Sequence, residues 1–255
     1  MNNMLAIAHK ELKSYFASPT GYIVIAVFAL LMGFFFDAIL EIYLQQSLQF
    51  AGAGGAPQMN VNDQLVRPLL LNGSVMVLFV LPMITMRTYS EEKRSGTIEL
   101  LLTSPLTDFE IVMGKFLGAM TLYAAMLAVT LIDIALLFVW GNPEWIPIAG
   151  AYLGLLLMGG CFVAIGLLVS SMTRNQVVAG VVTWAVFLML WVINWVSGSV
   201  GPQMQGVLEY LSFTGHFDDF SRGIIDSKHV IYYVSFIAFG LFLTMRSVDT
   251  ERWKG

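Results

Sequence analysis

Charge is what this sequence lacks first. Asp, Glu, Lys and Arg make up 12% of its 255 residues, against about 25% in a typical soluble domain. A water-solvated fold of this length needs a charged shell, so the shortage excludes one. Cysteine is nearly absent too: the single Cys161, inside an apolar run, excludes an intramolecular disulfide. The three histidines, His9, His216 and His229, are scattered, and no H-E-x-x-H occurs. There is no G-x-S-x-G, since Ser197-Gly198-Ser199 lacks the preceding glycine. A phosphate-cradling G-x-x-x-x-G-K-[ST] is also missing, because Gly114-Lys115 is followed by Phe116. Without that loop the chain is not expected to bind ATP in the usual way. No catalytic residue, metal site or bound cofactor is expected, and no nucleic acid among its partners.

What is present is apolar. Hydrophobic residues make up 57% of the chain, and mean hydropathy is +0.75. A helix needs about 20 apolar residues to cross a bilayer, and six runs qualify: 21–44, 68–86, 111–140, 146–169, 177–200 and 230–245. The sixth is shortest, and Lys228 and Arg246 can extend it by snorkelling. The expected fold is all-α: a polytopic membrane protein with six transmembrane helices in one domain over 1–255. The first run follows His9, Lys10, Glu11 and Lys13 and exceeds the 7–15 apolar residues of a signal peptide, so it reads as a retained span.

Lysine and arginine set the orientation. Lys10, Lys13, Arg87, Lys93, Arg94, Lys115, Arg174, Arg246, Arg252 and Lys254 belong to one set of segments; Arg67, Arg222 and Lys228 belong to the other. The positive-inside rule puts the first set, with both termini, in the cytoplasm of a cell membrane. An even number of spans agrees.

Before the first span, Met4, Leu5, Ala8, Leu12, Tyr15 and Phe16 share a helical face opposite Lys10, Lys13 and Ser14. Such a helix over 4–18 lies in the interface plane, ended by Ser18-Pro19-Thr20; the alternative is a frayed terminus. The loop 45–64, rich in Gly, Ala and Gln, has no packing face. Within 201–228, Met204, Val207, Leu208 and Leu211 form one apolar face, and Phe213, Phe217, Phe220 and Ile224 form a second. Two short helices there rest on the outer leaflet or on the bundle.

The stretch 91–115 is the most patterned. Glu91-Glu92-Lys93-Arg94 closes the second span, Ser95-Gly96 turns, and 98–102 makes one apolar helical turn. Ser104-Pro105 ends it. Thr107 and Glu110 fit a capping box that starts the third span. Two readings of the leucines stand: a docking element for another protein, or residues packed under the bundle or in the headgroups.

This stretch resembles the signature of ABC-2 type transporter permeases, in order as well as in composition. The matching residues are Glu92, Arg94, Ser95, Gly96, Thr97, Glu99, Leu101, Leu102, Ser104, Pro105, Gly114 and Lys115. Ala8, Lys10, Glu11 and Leu12 near the start, and the final T-M-R-S-V-D-T-E-R-W, resemble the same family. So do His216, Phe217, Phe220, Arg222 and Gly223; the two later stretches look most like the subgroup associated with gliding-motility and cofactor-maturation systems. The resemblance implies an interfacial elbow helix (4–18), a cytoplasmic coupling helix (91–104) and short extracytoplasmic helices (201–228). It also implies a separate ABC ATP-binding subunit carrying ATP and Mg, and a second permease copy or paralogue. Glu92, Arg94, Gly96, Thr97, Glu99, Leu101 and Leu102 would contact that subunit. Arg174 in 171–176 is a second contact or a positive-inside anchor.

Polar residues within the spans are the other candidates, since an intramembrane carboxylate is functional by default. Asp37 and Glu41 lie one turn apart near an outer end, where headgroups and water reach them. Asp133 is open between a pathway and a structural role, and Asn194 suits an interhelical hydrogen bond. Gly114/Gly118 and Gly150/Gly154 permit close helix approach. The function implied is an ATP-driven exporter's membrane subunit. A membrane anchor moving a partner protein, and an ion-coupled carrier working through Asp133, are the alternatives.

Overall fold

The computed structural model describes residues 2–52, 60–197 and 201–252; of a few side chains inside helices, Asn194 among them, nothing is described. The described residues form eleven α-helices and no strand. They are α1 (Asn2–Ala17), α2 (Pro19–Gly52), α3 (Arg67–Thr85), α4 (Ser90–Ser95), α5 (Thr97–Leu102), α6 (Asp108–Trp140), α7 (Trp145–Met172), α8 (Gln176–Ser197), α9 (Pro202–Leu211), α10 (Phe213–Ser221) and α11 (Ser227–Arg252). A π-helical turn, Asn62–Val66, leads into α3. Six helices are long and apolar enough to cross a membrane: α2, α3 with its flanking turns, α6, α7, α8 and α11. The chain is a multi-pass helical membrane protein.

α7 is apolar all round, which suits a helix surrounded on every side, and it packs on α3, α6, α8, α10 and α11. The apolar stretch of α7 is 72% buried, whereas those of α2 and α8 are 17% buried. α7 and α3 therefore form the centre, and α2 and α8 lie outside. Lipid tails are as apolar as leucine, so close backbone approach has to hold such helices together. The two glycine pairs supply it. A methyl group on Gly118 would stand 2.7 Å from Glu11 Cβ, and one on Gly114 2.6 Å from Ile7 Cβ. That pair seats α1 along α6. Gly154 meets the Phe220 and Phe217 side chains, and Gly150 the backbone of Phe220 and Gly223. That pair seats α10 on α7. Both pairs serve packing within the chain.

Local expectations near helix starts hold. Pro19 opens α2 directly after the bend at Ser18. Thr107 accepts from the Glu110 N–H at 3.2 Å, while the Glu110 carboxylate accepts from the Thr107 N–H at 3.0 Å.

Span ends and some faces differ from the sequence reading. α2 continues past Leu44 to Gly52, aided by a Gln45 to Glu41 side-chain hydrogen bond. The expected loop 45–64 is thus helical at both described ends, and 53–59 lies outside the described residues. The fifth run was expected to reach 200; α8 is described to Ser197, and 198–200 lies outside. α11 extends well beyond 230–245 because ion pairs hold its polar end. On α1 the buried face is Ile7, Glu11 and Tyr15, while Leu5 is exposed. The two short helices behave differently from each other. α10 buries Phe213, Phe217 and Phe220 against the bundle, but Ile224 is exposed, as are Met204, Val207 and Leu211 of α9.

Candidate functional site

One end of the bundle gathers α1, the α4–α5 pair, the start of α6 and the end of α11. Its centre is Lys115, on the first turns of α6 and 1% exposed. The Lys115 ammonium donates to Glu11 Oε1 of α1 at 2.8 Å and to the Thr88 carbonyl at 2.9 Å. It also pairs with Glu92 Oε2 of α4 at 2.9 Å and lies 4.9 Å from the centre of the Tyr89 ring. Lys10 completes the cluster, donating to Glu92 Oε1 at 3.0 Å. Two cations meet two carboxylates.

The cluster is weighed by two opposing effects. At an effective dielectric near 20, each contact of buried Lys115 at about 3 Å attracts by about 5–6 kcal/mol, whereas the Lys10–Glu92 contact is screened because Lys10 is 61% exposed. Withdrawing each ion from water costs several kcal/mol in return, so the net contribution to stability is small. Losing one partner is different, since it strands a buried charge at a cost of about 3–5 kcal/mol. The cluster works less as glue than as a fixed geometry linking α1, α4 and α6. Close by, Tyr15 donates its hydroxyl to the Ile84 carbonyl at 3.3 Å. Burial, and then the charge of Glu11, push its phenol well above the ordinary value, so it stays a donor.

α4 is gripped elsewhere too. Its N-terminal N–H groups lack a partner on their own helix, and Ser170 of α7 supplies one. The Ser170 hydroxyl accepts from the Tyr89 and Ser90 N–H groups at 3.0 and 3.1 Å and donates to the Met86 carbonyl at 3.2 Å. Lys93 pairs with Glu251 of α11 at 2.8 Å. Arg252 reaches Asp108, at the start of α6, at 2.9 Å. One six-residue helix is therefore held by α1, α6, α7 and α11.

α5 is the opposite case. Gly96, at φ 73°, makes the left-handed turn between α4 and α5, which favours glycine. No residue of α5 is buried, and Leu100 is 73% exposed. Glu99 is exposed beside it, and Thr97 bonds the Ser95 hydroxyl at 2.9 Å. Ile98, Leu101 and Leu102 turn inward and pack partly on the core. An exposed leucine on a short helix carried by a clamped one can accept a partner and pass on its displacement.

The sequence-predicted residues thus separate. Glu92 commits its charge inward, whereas Arg94, Gly96, Thr97 and Glu99 are exposed. Leu101 and Leu102 are half-buried, and Leu100 is the leucine left outward. Arg174 is exposed in the short link between α7 and α8. Asp37 and Glu41 are exposed on α2, remote from this cluster in the fold. Asp133 is half-buried on α6 among residues near the Thr130–Tyr152 hydroxyl pair. The Asn194 side chain lies outside what is described. Sequence reasoning missed Lys115, Glu11, Lys93, Ser170 and Glu251 as members of the site. The signal for Lys115 was present: a lysine placed after the start of an apolar run demands a buried partner.

A six-span helical bundle with one clamped polar helix at one end defines a multi-pass membrane protein. Residues 5–244 match the family described as ABC-2 family transporter protein, and this chain belongs to that family. Among curated relatives, two proteins named "Probable multidrug ABC transporter permease YbhR", from Escherichia coli strain K12 and from Escherichia coli O157:H7, are each 28% identical over 213 residues. The match covers 74% of this chain and 54% of each relative. The chain spans about half the length of the curated relatives it matches.

Proposed function

We propose that this chain is the permease subunit of an ATP-driven exporter in a cytoplasmic membrane, with both termini and α4–α5 in the cytoplasm. A separate ABC ATP-binding subunit, carrying ATP and Mg, docks on α5 through Glu99 and Leu100, with Arg94 and Thr97 at the margin and Arg174 as a neighbouring contact. A second permease copy or a paralogue completes the pathway. α1 then serves as an interfacial elbow, and α9 and α10 lie on the extracytoplasmic side.

The observation that carries this reading is the contrast between α4 and α5 in a chain of this family. α5 offers Leu100 outward, and α4 behind it is held by four other helices, so a push on α5 must move all of them or none. A ligand or nucleotide state shifts such a bundle only through contacts that differ between its states. The excess of lysine and arginine at this end supports the orientation.

The test is capture of the cognate ATP-binding subunit by the tagged permease. Glu99→Ala combined with Leu100→Ala should reduce capture about tenfold or more, the loss of one well-seated hydrophobic anchor and one charged contact. Arg222→Ala, at the opposite end, should leave capture unchanged. Equal capture by all three proteins would refute the docking role.

A further inference from the structure

A cavity of about 340 Å³ lies between the end of α1, the first turn of α2, the link from α3 to α4, and α4 itself as far as the start of α5. Ser14, Ser18, Thr20, Arg87 and Glu91 line it, together with the Lys10, Glu11 and Glu92 side of the ion cluster. The carboxylates of Glu11 and Glu92 are already taken by Lys115 and Lys10. Arg87 is not matched in this way. At this end Lys93, Lys115 and Arg252 each reach a carboxylate, but among the described residues half-buried Arg87 forms no ion pair. Its Nη1 donates to the Thr20 hydroxyl at 3.0 Å, and its Nε is buried with no acceptor. A buried guanidinium N–H without an acceptor is unfavourable, and it marks Arg87 as a cation whose donors the chain leaves partly unused.

The cavity therefore combines the Arg87 guanidinium with the Ser14 and Thr20 hydroxyls, while the Ser18 hydroxyl donates to the Tyr15 carbonyl at 3.4 Å. A guanidinium beside hydroxyls suits an oxyanion. Glu91 is exposed and takes part in no ion pair among the described residues, and it sets a second condition. Its carboxylate repels a bare anion and attracts a cation placed next to the anion. Immediately beyond Thr20, Tyr22 and Ile23 of α2 are 61% and 55% exposed, so a large apolar surface begins where the polar cavity ends. Phosphate beside ammonium, continuing into apolar chains, is the chemistry of a zwitterionic phospholipid.

We propose that this cavity binds a phosphate group, with Arg87 as its principal ligand, and that the phosphate belongs to an ethanolamine phospholipid whose ammonium faces Glu91. The proposal rests on six membrane-crossing helices and is independent of the export reading. Held there, the headgroup fills the joint between α1 and α2 beside the Lys115 cluster and fixes the angle at which α1 meets the bundle.

Native mass spectrometry of the detergent-purified full chain tests it, with four probes. These are phosphatidylethanolamine, phosphatidylglycerol (phosphate without ammonium), diacylglycerol (neither group) and inorganic phosphate. Wild-type protein should retain phosphatidylethanolamine over phosphatidylglycerol and not retain diacylglycerol. Arg87→Gln should weaken retention about tenfold, the order expected for a charged hydrogen bond. Arg87→Lys should fall in between. Glu91→Gln should erase the preference for ethanolamine while keeping the phosphate dependence. It also keeps the test decisive if Arg87→Gln fails to fold, since an unchanged preference in Glu91→Gln overturns the proposal. Arg87-dependent displacement of the lipid by inorganic phosphate supports a phosphate site, whereas Arg87-dependent binding of inorganic phosphate with no retention of phosphatidylethanolamine overturns the lipid assignment. Equal retention of diacylglycerol overturns the proposal. So does loss of ATP-binding-subunit capture in Arg87→Gln with lipid retention unchanged, which would make the cavity a protein contact.

Discussion

At the scale of single residues, donors and acceptors decide how a polar group survives inside this bundle. His216 shows it at the end opposite the ion cluster. Its Nε2 lies 2.9 Å from the Tyr210 carbonyl, which can only accept, so that nitrogen carries the hydrogen. Its Nδ1 lies against Nδ1 of His229, whose Nε2 sits 2.7 Å from Asp219. Tyr232 stacks on the His216 ring and Tyr233 meets it edge-on. Burial holds the His216 imidazole below its ordinary value; the Tyr210 carbonyl raises it, and His229 and Lys228 lower it further while Asp219 raises it. Below the unfolded value, near 6.5, the unfolded chain binds a proton that the folded chain refuses, so stability falls with pH. The thermal unfolding midpoint of the detergent-solubilised chain should be flat above about pH 6.5 and decline as the solution is acidified. His216→Phe should flatten that decline, and an equal slope in both proteins would remove His216 as its source.

At the scale of elements, the helices were largely legible and the contacts between them were not. The Thr107–Glu110 box and the Ser18-Pro19 break involve neighbours in sequence, so the residues alone disclose them. The phase of α5 depends on where that helix begins. Its start at Thr97, after the turn at Gly96, rotates Leu100 outward and Leu101 and Leu102 inward. The Lys115 cluster was hidden because its partner Glu11 is 104 residues away and no local pattern connects them. The sequence flagged Gly118 as a close-approach position, and the structure supplies its partner, α1. Gly118→Val should push α1 off α6 at a cost of about 1–3 kcal/mol, as overpacking does. Hydrogen exchange should rise over 2–17 and stay unchanged in α7. Gly33→Ala, where a side chain meets open space, is the control. Unaltered exchange over 2–17 in Gly118→Val would show that α1 does not depend on that seat.

At the scale of the whole molecule, the two ends do different work. The end opposite the termini is closed by Arg67 bonding Asp218 at 2.6 Å and by Asn62 exchanging two hydrogen bonds with the backbone of Glu144. The termini end is closed by ion pairs, of which Lys10–Glu92, Lys115–Glu92 and Lys93–Glu251 run through α4. Lys93→Glu should therefore lower stability by about 2–3 kcal/mol, less than for a fully buried pair because Glu251 is one-third exposed. Combining it with Glu251→Lys should recover most of the loss, as read by the thermal midpoint of single and double variants. A double variant no better than the single would place the effect elsewhere than in the pair. The same clasp bears on biogenesis. Lys93 waits for a counter-charge that leaves the ribosome 158 residues later, so the polar tip beyond α3 stays unfinished until α11 is threaded. A nascent chain halted before that point carries Lys93 without the counter-charge that the finished fold gives it.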